Sequence, residues 1–168
     1  MEIRLSGIVE ESIVDGKGIR FVVFTQGCPH NCKGCHNMHT HDFNGGYMDN
    51  TDNLFSLFKE DPILKGITFS GGEPFMQPKP LVELAKKVHE YKKDVWCYSG
   101  FTFEEILNSK NEDRVELLNN IDVLIDGKFI EEEKNLELSF RGSENQRVID
   151  VKKTLLQNKI ILVDDIDY

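Results

Sequence analysis

The chain has 168 residues, enough for one domain that buries a core without disulfide staples, and its 39% hydrophobic and 29% charged residues exclude a largely disordered chain. A formal net charge of -9 and a pI near 5.0 leave no broad basic face for phosphates, which excludes nucleic acid as the expected partner. The N-terminus lacks the basic, apolar and small-residue order of a signal peptide, and no apolar run approaches the roughly 20 residues that span a bilayer, so the expected location is the cytoplasm.

In chain order, residues 19–24 have the β-branched and aromatic content of a buried strand, which ends at Thr25-Gln26-Gly27 just before the first cysteine. Residues 53–59 read as a short helix, and residues 66–70 as a second buried strand that stops at Gly71-Gly72. Residues 80–91 put Leu81, Leu84, Ala85 and Val88 on one helical face. A third strand at 94–98 ends at Ser99-Gly100, after which Thr102 caps another helix with Glu105 at capping-box spacing. A fourth strand at 121–125 ends at Asp126-Gly127-Lys128. Beyond Phe129 come a charge run at 131–134, a polar loop at 141–147 and a candidate last strand at 159–163. Strand alternating with helix predicts a parallel sheet whose ligand sites gather at the C-terminal strand ends, where every polar motif stands. A complete eightfold barrel takes about 250 residues. The expected architecture is therefore α/β, an open partial (β/α) barrel with a mostly parallel sheet, as a single domain over 1–168.

Cys28, Cys32 and Cys35 stand at C-x3-C-x2-C spacing, which lets three thiolates converge from one compact loop. In a reducing compartment such clustering reads as a metal site before it reads as disulfides. Thiolates favour iron–sulfur clusters, zinc and copper(I). A 4Fe–4S cube normally takes four cysteines, so a loop supplying three leaves one iron open to a ligand that is not protein. Catalytic metal sites keep such an open position, whereas structural ones are closed. The loop alone also admits a structural zinc, because His30, His36, His39 and His41 lie near enough in sequence to complete a Cys3His set, and it admits the same histidines as solvated residues. Cys97, flanked by apolar residues within a strand, reads as a buried thiol outside the site.

A second motif, Ser70-Gly71-Gly72-Glu73-Pro74, follows a buried strand. Two glycines there would let a ligand approach the backbone, Glu73 adds an acceptor suited to an ammonium group, and Pro74 stiffens the exit from the turn. On this reading Gly72→Val leaves a metal centre in place and only crowds the ligand.

With both motifs present, the sequence resembles the radical S-adenosylmethionine enzymes, and a zinc site has no need of the second motif. Within that superfamily, Val14-Asp15-Gly16-Lys17-Gly18-Ile19-Arg20, residues 27–37, Asp122-Val123-Leu124-Ile125-Asp126-Gly127-Lys128-Phe129 and Phe140-Arg141-Gly142-Ser143-Glu144-Asn145-Gln146-Arg147 resemble the activating proteins of anaerobic ribonucleoside-triphosphate reductases, nearly end to end. The resemblance implies a 4Fe–4S cluster on Cys28, Cys32 and Cys35, with S-adenosylmethionine chelated at the open iron. One electron then splits the sulfonium, and the 5′-deoxyadenosyl radical takes hydrogen from a glycine of a separate reductase chain. It implies a flavodoxin or ferredoxin as electron donor. Gly34 and His36, flanking Cys35, would lie near the adenine through their backbones. Gly71, Gly72 and Glu73 would hold the methionine amino group. Ser99, Asp126 and Lys128, at strand ends, would meet the methionine carboxylate. No acid–base side chain is required, since cluster and cofactor carry the chemistry. Two departures stand out: Gly34 occupies a place where many members of the superfamily have an aromatic residue, and Lys17 one where the reductase-activating branch often has proline.

The arginines of the 141–147 segment either contact a partner or belong to a solvated loop. Two other functions compete with the reading. One is another small radical S-adenosylmethionine enzyme, activating a different glycyl-radical protein or rearranging a small molecule, although chain length favours protein activation. The other is an electron carrier or zinc module, which needs neither an open iron nor the glycine turn.

Overall fold

Short runs of β-branched and aromatic residues are buried best side by side, and three of them, β2 (Arg20–Thr25), β4 (Gly66–Gly71) and β5 (Asp94–Tyr98), form the middle of a sheet. The computed structural model describes residues 1–166. With β1 (Glu2–Ser12), β3 (Tyr47–Asn50), β6 (Val123–Asp126) and β7 (Arg147–Asp150), the sheet has seven strands in the order β3-β1-β2-β4-β5-β6-β7. The central strands β2, β4, β5 and β6 run parallel, and β1, β3 and β7 make the edges antiparallel. The sheet is open, with four parallel strand ends in a row along one edge.

Five helices follow: α1 (Thr51–Glu60), α2 (Pro78–Glu90), α3 (Phe103–Leu107), α4 (Glu112–Asn119) and α5 (Val151–Gln157). Most start where a side chain satisfies an orphan amide. Asn50 accepts from Asn53 N at α1, Thr102 and Glu105 form a full capping box at α3, Asn111 accepts from Arg114 N at α4 and Asp150 from Lys153 N at α5. The helix α2 begins on Pro78, whose missing N–H is not needed there.

All five helices bury apolar side chains against the same face of the sheet. Phe21, Val23, Ile67, Phe69, Val95, Cys97, Leu124 and Ile149 meet Leu54, Phe58, Leu81, Leu84, Val88, Phe103, Ile106, Leu117 and Val151 in one core. The period of two along each strand sends the intervening residues to the opposite face. There Trp96, Ile125, Phe140 and Val148 form a smaller cluster, and Arg20 is fully buried with its guanidinium 5.2 Å from the Trp96 ring. Arg20 donates to Thr68 Oγ1 at 2.7 Å, Ile67 O at 2.8 Å, Lys17 O at 3.1 Å and Asp94 Oδ1 at 2.6 Å. It thereby ties the 14–18 segment to the sheet.

The structure differs from the sequence expectations mainly at the edges. Neither β1, β3 and β7 nor α4 and α5 were expected. The fourth strand starts two residues later than expected and ends one later, at Val123–Asp126: Ile121 N closes the turn after α4 on Leu118 O, and Asp122 still bonds Val95 O through its own N–H while its carboxylate accepts from Val95 N and meets His89. The last strand expected at 159–163 is a single bridge, Ile149 to Leu162. The 131–134 charge run is a 3-10 turn, Glu131–Glu133. No helix among the described residues is long and apolar enough to cross a membrane.

Candidate functional site

The four parallel strands deliver their turns to one edge. The cysteine loop follows β2, Gly72-Glu73 follows β4, Ser99-Gly100 follows β5 and Gly127-Lys128-Phe129 follows β6. Together they surround a cleft lined by Cys28, Cys32, Cys35, Gly71, Gly72, Ser99 and Lys128, with His36, Tyr98, Phe129 and Gln146.

Backbone bonds fix the cysteine loop at its base. Gly27 N donates to Thr40 O at 2.7 Å, Cys28 N to His41 O at 3.2 Å and Cys35 N to Cys32 O at 3.2 Å. The Gln26 amide, buried beneath, donates to Asp42 O at 2.6 Å and His39 O at 3.1 Å. The glycine turn is zipped to the same loop, since Gly72 N donates to Thr25 O and Glu73 N to Gly27 O, each at 2.8 Å. Gly71 holds φ +93°, a region that favours glycine. A Cβ on Gly72 would lie 2.4 Å from the Gly27 carbonyl oxygen. This corrects the expectation for Gly72→Val: the close approach needed at position 72 is that of the cysteine loop's own backbone, so a side chain displaces the loop that bears the cysteines.

Cys28, Cys32 and Cys35 are half-buried free thiols that share the cleft, whereas Cys97 lies in the core with no exposed surface. Burial pushes the Cys28 thiol up to about 11 and raises Cys32 as well. It pushes the enclosed Cys97 well up too. A bound metal centre replaces such thiol protons. Among the described residues, no three His, Cys, Asp or Glu side chains converge on a point that one ion could occupy. A zinc ion needs all its ligands within about 2.0–2.3 Å of one point, but the thiolates of an iron–sulfur cube stand on separate irons and are spread wider. The donor set, three thiols facing one cleft with the fourth cysteine in the core, fits a cluster with one open iron.

Glu73 is fully buried and does not line the cleft. Its carboxylate accepts from Phe75 N at 3.0 Å, Ser99 Oγ at 2.9 Å, Gly100 N at 2.8 Å and His30 Nε2 at 2.6 Å. Ser99 reaches the cleft, but its hydroxyl donates to Glu73 and accepts from Phe101 N at 3.0 Å. Asp126, 1% exposed, lies off the cleft and is held by Arg147 at 2.6 and 3.0 Å and by Phe103 N at 2.8 Å. Lys128 is exposed on the rim, with no ion pair among the described residues. Gly34, at φ +74°, and His36 are both exposed on the loop, and His36 packs 5.5 Å from the Phe129 ring.

The 141–147 segment is folded back on the cleft, not a free loop. Gln146 accepts from Gly142 N and Ser143 N and donates to Gly127 O at 2.9 Å, while Asn145 donates to Lys128 O at 2.8 Å. Arg147 opens β7 and pairs with Asp126 and with Glu104 at 2.7 Å, the Asp126 bond first among the causes that raise its pKa. The Nε of Arg141 is buried with no partner among the described residues. Sequence reasoning missed Tyr98, Phe129, Gly142 and Gln146 as lining residues. The signal for the last three was their place in the two resembling segments at 122–129 and 140–147.

A 4Fe-4S single cluster domain family matches residues 14–149. The chain is 37% identical over 143 residues to the anaerobic ribonucleoside-triphosphate reductase-activating protein of Vibrio cholerae, covering 80% of this chain and 89% of that one. The Escherichia coli K12 protein of the same name is 33% identical over 151 residues, covering 81% and 91%, and that of phage T4 is 35% identical over 144, covering 80% and 86%. Among solved structures, QueE from Escherichia coli shares the fold, with a TM-score of 0.53 at 11% identity over 75% of this chain and 71% of that one. With three thiols on one cleft and this likeness along four-fifths of its length, the chain belongs to the 4Fe-4S single cluster domain family, among the anaerobic ribonucleoside-triphosphate reductase-activating proteins.

Proposed function

We propose that this chain uses a 4Fe–4S cluster on Cys28, Cys32 and Cys35 to cleave S-adenosylmethionine reductively and so place a glycyl radical on an anaerobic ribonucleoside-triphosphate reductase chain. The observation that carries the reading is the meeting of exactly those three half-buried thiols with the Gly71-Gly72 backbone in one cleft, the fourth cysteine being sealed in the core. When bound, the cluster supplies one-electron cleavage of a sulfonium at its open iron. The protein's part is to ligate, orient and exclude water. The carbonyl of Gly72 has no partner among the described residues and is the acceptor we assign to the methionine ammonium. Of Ser99, Asp126 and Lys128, Lys128 is the one we assign to the methionine carboxylate, a cation at the cleft with no ion pair among the described residues, because Ser99 and Asp126 are engaged elsewhere. Gly34 leaves no ring before the third cysteine, and Phe129 beside His36 supplies an aromatic face for adenine instead. Arg141, only partly buried, is the arginine left to contact the reductase, since Arg147 is taken. A flavodoxin or ferredoxin supplies the electron.

Anaerobic reconstitution with iron and sulfide, then reduction with dithionite and S-adenosylmethionine, tests this. About four irons per chain with 5′-deoxyadenosine and methionine formed, both lost in Cys32→Ala, is the expected result. Zinc alone and no product would overturn it.

A further inference from the structure

One buried carboxylate joins three of the four turns that bound the cleft. Glu73 receives a backbone amide of its own turn, the hydroxyl and the next amide of the Ser99-Gly100 turn, and the ring of His30 from between the first two cysteines. His30 is itself enclosed, its side chain 6% exposed and its ring 4.5 Å from that of Phe101 in an edge-on contact. Gly100 is required beside it, since a Cβ there would lie 2.4 Å from the imidazole. The backbone amide of His30 also faces the Cys28 sulfur. A carboxylate has only acceptor sites, so the four surrounding donors fill it and His30 must donate through Nε2.

We infer that Glu73 and His30 are positioning residues: the carboxylate sets the cysteine loop against the Gly72 and Ser99 turns, and does not itself hold the methionine ammonium. The inference deepens the proposed function and rests on it for the identity of the ligand, but the clamp is built from protein groups alone. Charge-assisted bonds to an enclosed carboxylate are among the stronger ones, and removing a partner leaves the other donors misdirected. A loop released at His30 keeps its three thiols yet loses its register with the opposite wall.

The test uses the full chain with His30→Ala, His30→Gln, which restores a side-chain N–H donor, and Glu73→Gln. In the metal-free proteins, amide hydrogen exchange over residues 28–36 should quicken roughly tenfold in His30→Ala and Glu73→Gln and return toward the parent in His30→Gln. After anaerobic reconstitution, His30→Ala should retain about four irons per chain. It should bind S-adenosylmethionine roughly tenfold more weakly, lose the ligand-induced change in the electron paramagnetic resonance spectrum of the reduced cluster, and be rescued by glutamine. The double variant should be no worse than either single one. Unchanged exchange in the metal-free variants removes the clamp whatever the enzyme does. Weak binding in Glu73→Gln with parental binding in His30→Ala makes Glu73 a direct ligand and overturns the inference. Altered exchange in the variants, with a parent that neither binds nor cleaves S-adenosylmethionine, leaves the clamp standing and removes the proposed function instead.

Discussion

A side chain at position 72 would begin 2.4 Å from the Gly27 carbonyl oxygen, a separation no Cβ tolerates, and the contact is backbone to backbone. Neither side can rotate away, so the strain passes into the turn that leads to Cys28. We therefore expect Gly72→Val to cost about 1–3 kcal/mol of stability and to lower iron per chain after reconstitution, measured by colorimetric iron and sulfide assay. Cys97→Ser is the matched control: a hydroxyl in an apolar core costs about 1–3 kcal/mol as well, but the site is untouched and iron loading should equal the parent's. Equal loading in both variants would mean that the glycine serves only the ligand. The cysteines and glycines of the site were legible in the sequence because their spacing is local. The partners of Glu73 were not, because Ser99 and Gly100 are 26 and 27 residues away and only the fold aligns them.

The turn after β6 and the strand β7 act as one element. Arg147 grips Asp126 with two bonds and reaches Glu104 on α3, while Gln146 and Asn145 hold the carbonyls of Gly127 and Lys128. The rim residues Lys128 and Phe129 thus owe their place to a segment about 17 residues downstream, which composition alone presents as a polar loop. Side chains such as Ser143, Asn145 and Gln146 mimic that signal while satisfying the backbone of residues 127–130, and β7 itself is only four residues long. Asp126 is 1% exposed, so Arg147→Ala strands a carboxylate with one remaining donor and should cost about 3 kcal/mol in urea unfolding. Glu104 is half exposed, and Glu104→Ala should cost under about 1 kcal/mol. Equal costs would place the weight of the network on the surface pair.

Across the whole molecule, strand–helix alternation made the parallel centre readable, but the antiparallel edges were hidden. In β1, Ile3 and Leu5 alternate correctly, yet Gly7 and flanking glutamates break the pattern because most of the strand's other residues are only partly buried or exposed. The layers at the opposite edge are joined by Asp122, the residue just before β6. Its carboxylate accepts from His89 of α2 at 2.7 Å and from Val95 N of β5 at 2.8 Å, and pairs with Lys152 of α5 at 2.5 Å. Burial alone would raise its pKa, but the bonds from His89, Lys152 and Val95 outweigh burial and hold it at about 2, against 3.8 for the free side chain. A carboxyl whose pKa is lowered on folding contributes stability above its unfolded value and loses that contribution as pH falls through the folded one. For Asp122 the window runs from about pH 4 down to about pH 2, and the contribution is on the order of 2 kcal/mol. Asp122→Asn should be less stable than the parent by that amount at pH 7, and the difference should shrink across the window as the parent's carboxylate is protonated. Urea unfolding of both proteins at intervals between pH 7 and pH 2 measures it. Curves that stay parallel through the window would show that the aspartate joins the layers by shape, with its charge contributing nothing.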